Sequence, residues 1–229
     1  DNMEKVLLHT PEGVRDVYGK ECAVKLTIEN SINKVFNIYG YHNIQTPTFE
    51  FFDISSKERG SVASKNLYKF FDREGNTLVL RPDVTPSIAR LVAKYYMDVK
   101  VPVKLCYNAN TYINNSELQG KLKENTQLGC ELINDDSVEA DAEILALVVD
   151  SLKAAGLKEF LVEIGHADFY KGLLEECGFD TENEQELRKR IENKNYFGVE
   201  EILDNNNITG QLKEAFLKLP ELFGSIDVI

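Results

Sequence analysis

Two short stretches of this chain carry side chains able to grip a small polar molecule. The first is Arg81-Pro82-Asp83-Val84-Thr85, where a carboxylate and a hydroxyl lie two residues apart at the entrance to a predicted helix. The second is Gln127-Leu128-Gly129-Cys130-Glu131-Leu132. Side chains of an extended strand alternate between faces, so Gln127, Gly129 and Glu131 point one way and Leu128, Cys130 and Leu132 the other. The apolar face belongs against helices. The opposite face offers an amide, a gap and a carboxylate, a set suited to an ammonium group or an imidazole N–H. The same alternation is what any half-solvated strand shows, and Asp83 or Thr85 followed by Pro86 equally suits the cap of a helix N-terminus. A capping carboxylate can still face a pocket, so spacing leaves both readings open.

No other set of residues has ligand-like spacing. His9, His42 and His166 are scattered, and Cys22, Cys106, Cys130 and Cys177 contain no C-x-x-C pair. Neither a metal site nor a cofactor is expected, and Cys106 and Cys130, in apolar strand contexts, read as small buried hydrophobes.

The elements that must position these side chains follow from periodicity and punctuation. Pro11 and Gly13 mark a loop over residues 10–18. Apolar positions at helical spacing predict a helix over 20–39, with Gly40 as a left-handed stop. Residues 41–52 read as an extended strand interrupted by Pro47, which places a strand end or a sheet edge there. A hairpin is predicted over 67–72 and 77–81, then a helix over 85–97 with Pro86 in its first turn. Two strands, 101–113 and 124–133, follow. Asp136 with Glu139 predicts a capping box for a helix ending near Ala155, before a strand over 160–164 and a helix over 167–177. Beyond Gly178 the chain is polar, helical and strand-free over 181–219. Strands joined by hairpins and returns imply an α+β fold, a largely antiparallel sheet backed by helices.

Length and composition bound the function classes. At 229 residues there is room for one large domain, or one domain with a small appendage. Hydrophobic residues at 43% and charged residues at 28% are ordinary for a soluble globular protein. No apolar run approaches the roughly 18 residues that span a bilayer and no basic-then-apolar leader opens the chain, so the expectation is a cytoplasmic protein without a membrane partner. The net charge is −12, and the densest basic run, Leu187-Arg188-Lys189-Arg190, lies in an acidic helix. That balance weighs against tRNA, whose phosphates call for a basic surface.

Taken in order, several segments resemble the class II core of histidyl-tRNA synthetases. Gly40-Tyr41-His42-Asn43-Ile44-Gln45-Thr46-Pro47 resembles the first class II motif. Tyr68 to Asp83 resembles the hairpin leading to the histidine-binding loop, and Gly120 to Gln127 the second half of the second motif. Within that superfamily, Leu80-Arg81-Pro82-Asp83-Val84-Thr85-Pro86-Ser87-Ile88-Ala89-Arg90 is more similar to regulatory subunits of ATP phosphoribosyltransferase, because the synthetase pattern has Glu and Gly at 83 and 84. Gly165-His166 and Leu219-Pro220-Glu221-Leu222-Phe223-Gly224 are similar to the same family.

The resemblance implies a class II synthetase-like core over residues 1–178 and a helical insertion-like subdomain over 179–229, with the core expected to be truncated after it. It also implies Asp83, Thr85, Gln127 and Glu131 as histidine contacts. Where the synthetase motif has an arginine this chain has Ile113, and where it has a glutamate, Asn115. A branched alkyl group cannot hold the charge that develops when ATP activates an amino acid. The implied function is therefore non-catalytic: a regulatory subunit that activates a short catalytic subunit and senses free histidine in the first step of histidine biosynthesis. It would act as a homodimer within a hetero-oligomer, without catalytic residues. The alternatives are a divergent or fragmentary histidyl-tRNA synthetase, and an interaction domain with a dead pocket.

Overall fold

The helix predicted from residue 20 forms over Gly19–Ile38 (α1) and stops where Gly40 adopts φ 84°. In this computed structural model the structure describes residues 8–56, 62–115, 120–165, 167–221 and 224. The chain divides into two compact units, Asp1–Phe160 and Leu161–Ile229.

In the first unit the expected strand over 41–52 is two strands in two sheets. His42–Asn43 (β1) runs parallel to Val103–Tyr112 (β5), which pairs antiparallel with Glu124–Ile133 (β6) from Val103 opposite Ile133 to Tyr112 opposite Glu124. Phe49–Phe51 (β2) joins Thr77–Leu80 (β4), whose other edge carries Lys69–Phe71 (β3), all antiparallel. Pro47 falls in the gap between β1 and β2, where a residue with no N–H costs no ladder bond. A short helix, Phe52–Ser56 (α2), follows β2.

Arg81 ties the two sheets together. Its Nε donates to the Asn110 carbonyl at 2.7 Å, and its Nη1 to the carbonyls of Thr46 at 2.9 Å and Pro47 at 3.2 Å. Its own N–H reaches Thr48 O, and its carbonyl accepts from Tyr112 N, each at 3.0 Å. The side chain is buried, and loss of hydration pulls the guanidinium below its ordinary value. Carbonyl oxygens supply what water would have given.

Each face of the β5–β6 ladder has its own helical cover. Thr85–Tyr95 (α3) lays Ile88, with Val84 just ahead of it, on Val103, Leu105 and Tyr107, and Leu91 and Val92 pack at the margin. Glu50, buried on β2, takes a forked ion pair from Arg90 of α3, the closest N–O distance being 2.8 Å. On the other face Leu128, Cys130 and Leu132 pack against Phe36, Tyr41, Cys106 and Leu147, the last from Val138–Ala154 (α4).

Two local expectations are corrected here. The cap of α4 is Ser137, not Asp136: Ser137 Oγ accepts from Ala140 N at 3.2 Å and donates to Asp135 Oδ1 at 2.6 Å. Asp135 also accepts the Ser137 N–H, and this turn sets the extended residue one place later than the capping-box pattern suggests. The strand expected over 160–164 is absent: residues 161–165 are described and belong to no helix or strand. Leu161 and Ile164 are exposed, with no neighbouring ladder to complete a strand that propensity alone cannot hold.

The second unit is helical: Ala167–Cys177 (α5), Thr181–Glu192 (α6), Tyr196–Asn205 (α7) and Gly210–Lys218 (α8). Asp180 caps α6 through Asn183 N at 2.8 Å, and Asn195 caps α7 through Gly198 N at 3.0 Å. Its core is Leu187, Val199, Ile202, Leu203 and Phe216, against which Tyr170, Leu173, Leu174 and Cys177 of α5 pack. Those four side chains pack α5 within the helical unit, which begins at Leu161. Of the residues 222–229 beyond it, only Gly224 is described, and His166 also lies outside the described residues. No helix among the described residues is long and apolar enough to cross a membrane.

Candidate functional site

Thr85 opens α3 and Glu131 lies on β6, and the fold brings them together: Thr85 Oγ1 donates to Glu131 Oε1 at 2.6 Å. Asp83 sits two residues ahead of Thr85, half-buried, and its Oδ1 accepts from Val84 N at 2.7 Å and Thr85 N at 3.5 Å. It therefore meets N–H groups at the entrance to α3 without capping that helix, whose N-cap position is Val84 and carries no side-chain cap bond. Ladder register puts Glu131 opposite Leu105, Gly129 opposite Tyr107 and Gln127 opposite Ala109, so all three share the face of the sheet that α3 covers. Gln127 is half-buried on that face.

Tyr107, which spacing did not single out, belongs at the centre of this group. It is 8% exposed and its ring lies across Gly129: a Cβ added there would run into the ring's Oη and Cζ atoms. The gap expected at Gly129 is thus filled by an aromatic ring and is no vacant subsite. Burial, followed by the nearby charges of Glu131 and Asp83, pushes the phenol up to about 12. Near neutral pH the phenol keeps its proton. Only the register between β5 and β6 reveals this residue, since a tyrosine 22 positions before a glycine carries no local signal.

Ile113 directly follows β5, where its N–H continues the ladder to Lys123 O at 2.9 Å. Alternation places it on the same side as Tyr107 and Ala109. Three arginines of this unit are committed elsewhere: Arg15 to Glu21 at 2.6 Å, Arg81 to carbonyls and Arg90 to Glu50. Lys121 is exposed and Lys123 half-buried, its stem beside Gly13, which accepts from Lys123 N at 2.7 Å. Those lysines, with Gly13 and Gly120, line a concavity of about 240 Å³. The site so assembled is a cluster of two carboxylates, two hydroxyls and an amide over an aromatic floor. It is suited to a ligand that donates hydrogen bonds and carries positive charge.

A model of the family described as histidyl-tRNA synthetase matches residues 13–229. The chain belongs to the histidyl-tRNA synthetase family. Among its curated relatives, proteins from Ruminiclostridium cellulolyticum and Acetivibrio thermocellus are 46% and 43% identical over 99% and 97% of this chain. Both are named ATP phosphoribosyltransferase regulatory subunit, and the match takes in 54% and 53% of their own lengths. This chain therefore spans about half the length of the curated relatives it matches. A solved structure from Bacillus halodurans, described as an ATP phosphoribosyltransferase regulatory subunit/histidyl-tRNA synthetase, superimposes with a TM-score of 0.84 at 36% identity, covering 97% of this chain and 57% of that one. A histidine–tRNA ligase subunit from Alicyclobacillus acidocaldarius superimposes at 0.73 with 26% identity, over 86% of this chain and 56% of that one. The α+β fold is that of the histidyl-tRNA synthetase family.

Proposed function

We propose that this chain is part of a regulatory subunit of ATP phosphoribosyltransferase, acting in the first step of histidine biosynthesis and carrying no catalysis of its own. The observation that carries the reading is the 46% identity, along 99% of this chain, to a protein of that name. Its partner is a short catalytic subunit, which it activates within a hetero-oligomer built on a homodimer, in the cytoplasm. Free histidine occupies the group formed by Asp83, Thr85, Gln127 and Glu131, its ammonium group or imidazole N–H meeting the carboxylates. Feedback follows if histidine binds the inhibited assembly more tightly than the active one. Ile113 in place of a guanidinium removes the means of stabilising an adenylating transition state. No cofactor and no tRNA enter this reading, and the net charge of −12 accords with the latter.

Titration calorimetry with histidine tests it. The chain is expected to bind histidine and Glu131→Ala to bind it at least about tenfold more weakly, as loss of a charge-assisted hydrogen bond implies. Equal binding by both removes Glu131 from the site. The superposition on a histidine–tRNA ligase subunit favours a second reading, a divergent synthetase. Histidine-dependent exchange of pyrophosphate into ATP would establish that reading and end the regulatory one.

A further inference from the structure

We propose that Cys106 and Cys130 are an oxidation site: a peroxide joins them in a disulfide across β5 and β6, and the bond disturbs the histidine pocket on the reverse of the sheet. The bridge stands on geometry alone, and its effect on the pocket rests on the histidine reading. Taken singly, the two cysteines are small hydrophobes; the ladder makes them a pair by setting Cys106 directly opposite Cys130. Cys106 O accepts from Ile44 N at 2.9 Å, so the backbone polar groups of Cys106 face β1 and not β6. The two form a non-hydrogen-bonded pair, the kind that brings opposed Cα atoms to about 4.5 Å and their side chains closest. That separation lies inside the roughly 4.4–6.8 Å that a disulfide spans. Both thiols are free, and both lie on the face that packs against Phe36, Tyr41 and Leu147.

Cys106 is fully buried and its Sγ donates to Asn43 Oδ1 at 3.5 Å, whereas Cys130 is half-buried on the outermost strand of the described sheet. A peroxide therefore meets Cys130 first. The Cys130 sulfur, as thiolate, attacks one peroxide oxygen, the O–O bond breaks, and a sulfenic acid and water form. Cys106 then gives up its proton, its sulfur displaces the sulfenic oxygen, and a second water leaves as the S–S bond closes. Burial, followed by the charge of Glu131, pushes the Cys130 thiol up to about 11. Thiolate is the reacting form, so the bridge forms slowly near neutral pH and about tenfold faster for each pH unit above it.

The pocket lies directly behind this rung. The rungs on either side are Leu105 opposite Glu131 and Tyr107 opposite Gly129, with side chains on the other face. An S–S bond of about 2 Å is far shorter than the contact between two thiols, and the rung twists to close it. Tyr107 already presses across Gly129 with no room for a methyl group, so the twist shifts the ring and Glu131 together.

Peptide mapping of the whole chain after hydrogen peroxide, with alkylation under denaturing conditions, reads the bridge, and calorimetry reads the pocket. The Cys106 and Cys130 peptides should be recovered joined, and dithiothreitol should separate them. The oxidised chain should bind histidine about tenfold more weakly, the scale of a lost charge-assisted hydrogen bond, and recover with the reductant. Cys130→Ala should bind histidine equally before and after peroxide. Recovery of the two cysteines unjoined, or of Cys130 joined to a second chain, overturns the site. A bridged chain that binds histidine like the reduced one overturns its hold on the pocket. No histidine binding by the reduced chain overturns the pocket reading and that hold with it, while the joined peptides still decide the bridge.

Discussion

Glu131 and Thr85 stand 46 residues apart in the chain and 2.6 Å apart across the site. Alternation along β6 was enough to pair Glu131 with Gln127 on one face, and the helix-start pattern was enough to mark Asp83 and Thr85. Joining the two sets needed the packing of α3 on β5, which no local pattern encodes. Tyr107 shows the same limit more sharply. A glycine between two polar residues reads as open space until the ladder register sets a ring over it. The consequence is a prediction at Gly129, whose backbone conformation tolerates alanine but whose surroundings do not. Gly129→Ala should displace the Tyr107 ring, cost about 1–3 kcal/mol in denaturant unfolding, as overpacking does, and weaken histidine binding. An unchanged unfolding midpoint would mean that the ring yields freely.

Element boundaries were legible where one sequence signal acts without competition. β6 and α5 lie where alternation and helical spacing put them, over Glu124–Ile133 and Ala167–Cys177. They were misplaced where two signals compete or where a partner is needed. Asp136 and Ser137 are both good caps, and the turn built by Asp135 decides between them. Residues 160–164 are apolar enough for a strand but find no ladder, and Pro47 divides what periodicity ran together. The cap makes a clean contrast in mutation: Ser137→Ala should cost about 1 kcal/mol of stability, and Asp136→Ala close to none, by chemical denaturation. A larger loss from Asp136→Ala would restore the capping-box assignment. α5 carries a related lesson: the sequence reading placed it with the core over residues 1–178, and Tyr170, Leu173, Leu174 and Cys177 pack it on the helical cluster, a contact that no local pattern encodes.

At the scale of the whole molecule the acidic balance shapes how the fold responds to pH. Glu143 accepts from Lys104 at 2.7 Å and from Tyr41 at 3.0 Å, and the Lys104 bond holds its carboxyl below the ordinary 4.5. Burial raises the carboxyl of Glu29, but hydrogen bonds from Lys25 and Asn108 outweigh it and leave that group lowered too. A carboxyl lowered by folding stabilises fully above its unfolded value and loses that contribution as pH falls through the folded one. The denaturation midpoint should therefore hold level from about pH 7 to 5 and fall below about pH 4.5, with a shallower fall in Lys104→Met. The same slope in parent and variant would place the acid sensitivity elsewhere. The molecule also has ten tyrosines and no tryptophan. Its near-ultraviolet emission comes from phenols with no indole to drain it, and one of them spans Gly129 beside Thr85 and Glu131. An occupant arriving there changes the surroundings of a native fluorophore, so the protein carries its own optical gauge of occupancy and needs no label.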